Sequence, residues 1–264
     1  MNNFKDIGFL RSETGLTVID ARKRDAYLED HYRGSYNLDL DLDLAGPVLE
    51  HGGRHPLPDT AVFQEKLRSI GLRDGSSVMI YDNGGNDSAG RLWWMLKYYG
   101  MKDIFVLLKG YSEFSDEEKD SKVPGPAEGT ITLVPDETMT APYEEILEYS
   151  KQDKLGGKAV VDSRSEERWR GLVEPIDRKK GRIPNTINIF YRKCFNTDNS
   201  LKDMDFISAS FKKALAFDDV IFHCGSGVTA CTNIMLFDEL GRKSRLYVGS
   251  FSDYISYDNE PLKE

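Results

Sequence analysis

The chain has 264 residues, 39% of them hydrophobic and 30% charged, with a formal net charge of −9 and a pI near 5.1. That length allows one large domain or two of ordinary size, each with a real core. The acidic balance argues against a nucleic-acid or acidic-membrane partner, and Cys194, Cys224 and Cys231 have no metal-ligand spacing, so neither a disulfide framework nor a metal site is indicated. No apolar run reaches the roughly 18 residues of a membrane span and no signal-like segment opens the chain, so the expectation is a soluble, cytoplasmic protein.

In chain order, the apolar run at 17–20, followed by charged residues with Tyr27 and Leu28 as an apolar stripe, predicts a strand and then a helix over 24–32. A second strand is expected at 77–81, a turn at Asp82-Asn83-Gly84-Gly85, a helix over 88–99 with a bulky buried face, and a third strand at 104–108. Residues 116–142, rich in charge, Pro and Gly, have linker composition. A shift of 142 positions lays Val18-Ile19-Asp20-Ala21-Arg22 on Val160-Val161-Asp162-Ser163-Arg164 and the strand at 78–82 on 220–224. An offset sustained through several strands signals duplication of a whole domain. The expected fold class is therefore α/β, two tandem domains, each a mostly parallel sheet flanked by helices: 1–118, a linker over 119–142, and 143–264.

The stretch Val220-Ile221-Phe222-His223-Cys224-Gly225-Ser226-Gly227 reads as a buried strand broken by glycines just before a helical pattern resumes at Ala230. Backbone N–H groups at a helix start favour an anion, including a thiolate, which makes Cys224 the leading nucleophile candidate. The equivalent position of the first copy holds Asp82, so chemistry is expected in the second copy alone. A phosphatase cradle would carry Arg six positions after the cysteine; Ala230 stands there, which leaves an uncharged loop suited to a small monoanion such as a persulfide. Asp20 and Asp162 read as structural, either helix caps or partners of Arg22 and Arg164, Trp93 and Trp94 as core, and Cys231 as buried packing.

The loop Cys224-Gly225-Ser226-Gly227-Val228-Thr229-Ala230 resembles the active-site loop of the tandem rhodanese family, within it the 3-mercaptopyruvate sulfurtransferase branch, because Ser226 and Gly227 stand where the thiosulfate branch carries basic residues. His55-Pro56-Leu57-Pro58, Arg91 to Trp94, Glu174-Pro175, 181–188 and 249–254 extend the likeness over nearly the whole chain. The resemblance implies two rhodanese-like domains, the first non-catalytic, and transfer of sulfur through a Cys224 persulfide held by a loop of Gly225, Gly227, Val228, Thr229 and Ala230. It implies a proton relay through Ser226, His55 and an aspartate, best matched by Asp41 with Asp39 and Asp43 close by. Substrate carboxylate binding would fall on Arg168 and on Arg178, one residue beyond the family spacing, with Arg182 standing where the family usually has histidine. The implied partners are a small-molecule sulfur donor, 3-mercaptopyruvate before thiosulfate, and a thiol, cyanide or thioredoxin-like acceptor; no metal or organic cofactor is implied. A non-catalytic persulfide carrier is the alternative from another class.

Overall fold

Consecutive apolar residues at Val18-Ile19, Val78-Met79-Ile80, Val160-Val161 and Val220-Ile221-Phe222 suit strands covered on both faces, where successive side chains enter opposite cores. The computed structural model describes residues 2–152 and 156–263. The first of its two compact units comprises Met1–Gly46, Leu57–Asp136 and Thr197–Leu201, and the second Pro47–Pro56, Glu137–Asn196 and Lys202–Glu264.

In the first unit the strands are β1 (Phe4–Lys5), β2 (Leu16–Asp20), β3 (His31–Tyr32), β4 (Tyr36–Asn37), β5 (Ser77–Tyr81), β6 (Ile104–Leu107) and β7 (Lys119–Asp120), with helices α1 (Ile7–Ser12), α2 (Arg24–Glu29), α3 (Thr60–Ser69) and α4 (Asp87–Tyr98). Five strands form a parallel sheet in the order β1-β6-β5-β2-β4. Leu10 of α1 packs with Val18, Met79 and Leu107 on one face.

The second unit holds β8 (Lys158–Asp162), β9 (Ile187–Asn188), β10 (Asp219–His223) and β11 (Arg245–Leu246), with α5 (Tyr143–Ser150), α6 (Glu166–Arg170), α7 (Met204–Leu215), α8 (Thr229–Glu239) and α9 (Ser250–Tyr254). Its parallel sheet runs β11-β10-β8-β9. Val160 and Ile221 meet Ile146 and Tyr149 of α5 and Phe251 and Tyr254 of α9. On the other face Phe222 packs edge-on against Phe211 of α7 and Phe237 of α8. Both helical layers follow from the unbroken apolar run of β10.

Duplication is legible in the registers. β2 pairs with β5 from Leu16 opposite Ser77 to Asp20 opposite Tyr81, and β8 with β10 from Lys158 opposite Asp219 to Asp162 opposite His223, each at the 142-residue offset. The same turn closes both central strands. Asp20 takes the Arg22 N–H at 2.8 Å and its guanidinium at 2.7 Å, and Asp162 takes the Arg164 N–H at 2.9 Å and its guanidinium at 2.7 Å. A side-chain amide, Asn37 in one unit and Asn188 in the other, donates to two carbonyls of each turn. These are the structural pairs expected of Asp20 and Asp162.

Two expectations differ from the structure. The helix over 24–32 stops at Glu29, because His31 and Tyr32 leave it to pair antiparallel with Asp120 and Lys119. The segment of linker composition packs on the first unit as far as Asp136. Ile131 and Leu133 are buried there, and the N–H groups of Ala127, Gly129, Thr130, Ile131 and Asp136 reach backbone carbonyls of Ser69, Arg68, Leu72 and Tyr98. Two apolar anchors in a Pro-Gly segment are enough to hold it when its backbone finds partners.

Candidate active site

The apolar strand β10 carries the chain to the carboxyl edge of its sheet, where Cys224 follows His223 directly. Gly227, at φ +74°, turns the backbone into α8. That helix is apolar on nearly every side and buried from Ala230 to Phe237. Asn233 anchors it to the end of β8, donating to Ser163 Oγ at 2.9 Å and to the Ile189 carbonyl at 2.7 Å. The loop from Cys224 is tied outward to α9: Phe251 N–H donates to the Cys224 carbonyl at 3.0 Å and Ser252 N–H to that of Gly225 at 2.9 Å. Cys224 N–H donates to Ser250 Oγ, whose own proton goes to the Tyr247 carbonyl, bonds that offset the left-handed φ of +56° at Ser250. Cys224 is 2% exposed.

The first unit shows what such a hollow accommodates. Asp82, the counterpart of Cys224, places its carboxylate on the backbone N–H groups of Gly84 at 2.8 Å and Ala89 at 3.2 Å. Burial nonetheless pushes its pKa up, against the pull of those N–H groups. A carboxyl group thus sits in one copy of the turn on backbone donors.

A strap at 51–55, belonging to the second unit although it lies early in the chain, delivers two side chains to the cysteine loop. His51 Nδ1 lies 2.8 Å from Ser256 Oγ, Gly52 N–H donates to Asp253 Oδ1 at 2.7 Å, and Arg54 N–H to Ser252 Oγ at 3.1 Å. Asp253, itself buried, also takes the Tyr247 hydroxyl at 2.6 Å. So held, His55 Nδ1 comes within 2.7 Å of Ser226 Oγ. Arg54 reaches Gly225: a side-chain carbon at that glycine would meet Arg54 Nη2 at 2.8 Å and both Arg168 Nη2 and Asp177 Oδ2 at 3.4 Å.

Arg168, on α6, is gripped by Glu174 at 2.7 Å and Asp177 at 3.0 Å, and Arg54 Nε donates to Asp177 Oδ1 at 3.0 Å. Glu174 also accepts from Arg164 at 3.2 Å, so charges alternate from Arg54 through Asp177, Arg168, Glu174 and Arg164 to Asp162. Burial alone would raise the Glu174 pKa; hydrogen bonds from Arg168 and from the Asp177 and Ile176 N–H groups override it and hold the carboxyl below its usual range. Asp162 is held low in the same way, by the charge and hydrogen bonds of Arg164 against full burial.

His223 Nδ1 faces the Cys224 carbonyl at 3.1 Å and must donate to it. Nε2 lies 3.7 Å from Asp162 Oδ2 with no hydrogen-bond partner. Complete burial lowers the His223 pKa and outweighs the attraction of Asp162, so the imidazole is neutral and the contact is not an ion pair.

Among the residues singled out from sequence, the structure brings Ser226 and His55 together and sets Arg168 beside Gly225. Arg178 donates to the Ile255 carbonyl and to Asp258 and is more than half exposed. Arg182 stacks on Trp169 at 4.2 Å while its N–H bonds the Leu262 carbonyl. The second guanidinium at Gly225 is Arg54, whose signal was its place directly before His55. Asp177 and Glu174 gave no signal beyond Glu174-Pro175. Asp41 lies in the first unit, ion-paired with Lys23 and more than half exposed. Asp39 and Asp43 are committed to the fold, Asp39 accepting the N–H groups of Asp41 and Arg24, and Asp43 pairing with Arg24 and Lys66. Cys231 is buried, its thiol donating to the Gly227 carbonyl at 3.2 Å, and Trp93 and Trp94 are core. Among the described residues no cluster of three His, Cys, Asp or Glu side chains is arranged to hold a metal, and no helix is long and apolar enough to cross a membrane.

Comparison with known proteins adds the following. The family model of the rhodanese-like domain matches twice, over residues 9–117 and 144–257. A probable 3-mercaptopyruvate sulfurtransferase of Pseudomonas aeruginosa is 34% identical over 271 residues, covering 95% of this chain and 93% of that protein. A putative thiosulfate sulfurtransferase, SseB, of Mycobacterium tuberculosis is 28% identical, covering 97% and 93%. Among solved structures, a 3-mercaptopyruvate sulfurtransferase from Leishmania major superimposes with a TM-score of 0.84 at 26% identity, over 97% of this chain and 75% of that one.

Proposed function

Because the chain belongs to the rhodanese family, as a sulfurtransferase with two rhodanese-like domains, we propose that Cys224 of its second unit takes sulfur from a small α-keto thiol donor, 3-mercaptopyruvate, and passes it to a thiol acceptor. The observation that carries this reading is the Ser226 hydroxyl 2.7 Å from His55 Nδ1, inside a loop with no charged side chain of its own. The Cys224 thiolate attacks the donor sulfur; an S–S bond forms, the donor's C–S bond breaks, and its electron pair leaves as the enolate of pyruvate. That enolate needs a proton, which Ser226 delivers while His55 replaces it, a general-acid step that needs a hydroxyl and not a cation. An acceptor thiolate, of a small thiol or a thioredoxin-like protein, then attacks the outer sulfur and restores the Cys224 thiolate. Arg54 and Arg168 at Gly225 supply guanidinium groups for the donor's carboxylate.

Thiosulfate is the second reading, favoured by the name of the Mycobacterium tuberculosis relative and by two guanidinium groups that would also meet a sulfonate. Steady-state rates with each donor decide between them. Cys224→Ser should abolish transfer from both, and retained activity would refute the proposal. A protein that gains one sulfur atom by mass spectrometry at Cys224 yet turns over neither donor would be a carrier instead. We place it in the cytoplasm, where its three cysteines stay reduced; all three are free thiols in the structure.

A further inference from the structure

The two arginines beside Gly225 are not waiting for an anion, because a carboxylate already lies between them. Asp177 takes Arg54 Nε at 3.0 Å and Arg54 Nη2 at 3.5 Å on its two oxygens, and Arg168 Nη2 at 3.0 Å. Its side chain is 1% exposed, and Oδ2 lies at the same 3.4 Å from the position of a Gly225 side-chain carbon as Arg168 Nη2. Arg168 is further neutralised by Glu174, so around the residue next to Cys224 two positive charges meet two negative ones. A neutral cluster of this kind attracts an anion weakly, since each new hydrogen bond to a guanidinium replaces one already made.

We infer that Asp177 is a resident competitor for the donor's acid group: an anionic donor binds by sharing or displacing Asp177 on Arg54 and Arg168, and Asp177 thereby sets donor affinity. The inference rests on the functional reading above for the identity of the donor, but not for the competition itself. It inverts the usual expectation for a carboxylate that supports two arginines. If Asp177 only held the arginines in place, removing its charge would weaken donor binding. As a competitor, its removal strengthens it. Asp177→Asn is the suitable variant, because the amide keeps an oxygen for Arg54 Nε while Glu174 continues to hold Arg168.

Pyruvate, unreactive and carrying the donor's carboxylate, is the probe, titrated calorimetrically into the full-length protein. Asp177→Asn should bind it about tenfold more tightly than wild type, equivalent to about 1.4 kcal/mol, and should lower KM for 3-mercaptopyruvate with little change in kcat. Asp177→Glu, which restores the charge, should return both to the wild-type range, and the exposed control Glu148→Gln should change neither. Unchanged or weaker pyruvate binding in an Asp177→Asn protein of wild-type melting temperature would overturn the inference. Where Asp177→Asn does not fold, Asp177→Ser is read by the same criterion. Turnover by wild type with unaltered pyruvate affinity in the variant would remove this inference alone. Tighter pyruvate binding by a protein that turns over neither donor would remove the functional reading and leave the competitor.

Discussion

In the proposed function a single hydroxyl, that of Ser226, separates two donor chemistries. Its neighbour His55 faces it at 2.7 Å from a strap bound to α9. Ser226→Ala removes the proton carrier next to the enolate, and kcat with 3-mercaptopyruvate should fall by about 10²–10⁴-fold, the usual range for a lost general acid. Rates with thiosulfate, whose sulfite leaving group needs no such proton, should fall far less. Ser226→Arg should move the ratio of the two rates toward thiosulfate by adding charge beside a sulfonate; an unchanged ratio would mean that donor choice is made elsewhere.

The strand β10 and the helix α8 carry the cysteine, and the stability of that pair is also that of the loop. Phe222 fills the space between Phe211 and Phe237 and is fully buried, so Phe222→Ala should lower the unfolding free energy by about 3–5 kcal/mol, measured by urea denaturation. The end of the same strand is expected to make the protein acid-sensitive. The folded-state pKa of His223 is lowered from 6.5 by burial. Below that pH the unfolded chain binds a proton that the folded chain refuses, so the stability due to His223 is present above pH 6.5 and lost as pH falls. Asp162, also held below its ordinary 3.8, adds a second loss in more acidic solution, where its pairing with Arg164 must be given up. Urea midpoints measured against pH should therefore decline below about pH 6.5, and His223→Gln should flatten that upper decline while leaving the Asp162 loss in place.

Across the whole molecule the two units share a register and a turn but differ in the loop that follows the central strand. Position 82 holds Asp on two backbone N–H groups, and position 84, the counterpart of Ser226, is glycine. Moving the proposed nucleophile alone is therefore not expected to move the activity. The double variant Cys224→Ser with Asp82→Cys should show no turnover of either donor, because a cysteine in the first hollow has no hydroxyl at the serine position. Measurable transfer would mean that the loop backbone alone is sufficient.

Much was legible in the residue order. Runs such as Val160-Val161 and Val220-Ile221-Phe222 required strands buried on two faces, the offset of 142 positions required two copies of one unit, and Cys224 before Gly225 and Gly227 required a thiol at a strand-to-helix turn, because each of these depends on neighbours a few positions apart. What only tertiary structure decided lies in contacts between distant residues. Arg54 meets Asp177, 123 positions away, and stands beside Gly225 where spacing pointed to Arg178. Residues 119–136 fold onto the first unit because Ile131 and Leu133 find a core there, which their Pro- and Gly-rich surroundings do not announce. The net charge beside Gly225 is a sum over side chains gathered from residues 54, 168, 174 and 177. Sequence spacing specifies which side chains share a strand or a helix face; which charges neutralise one another is decided by the packing of those elements.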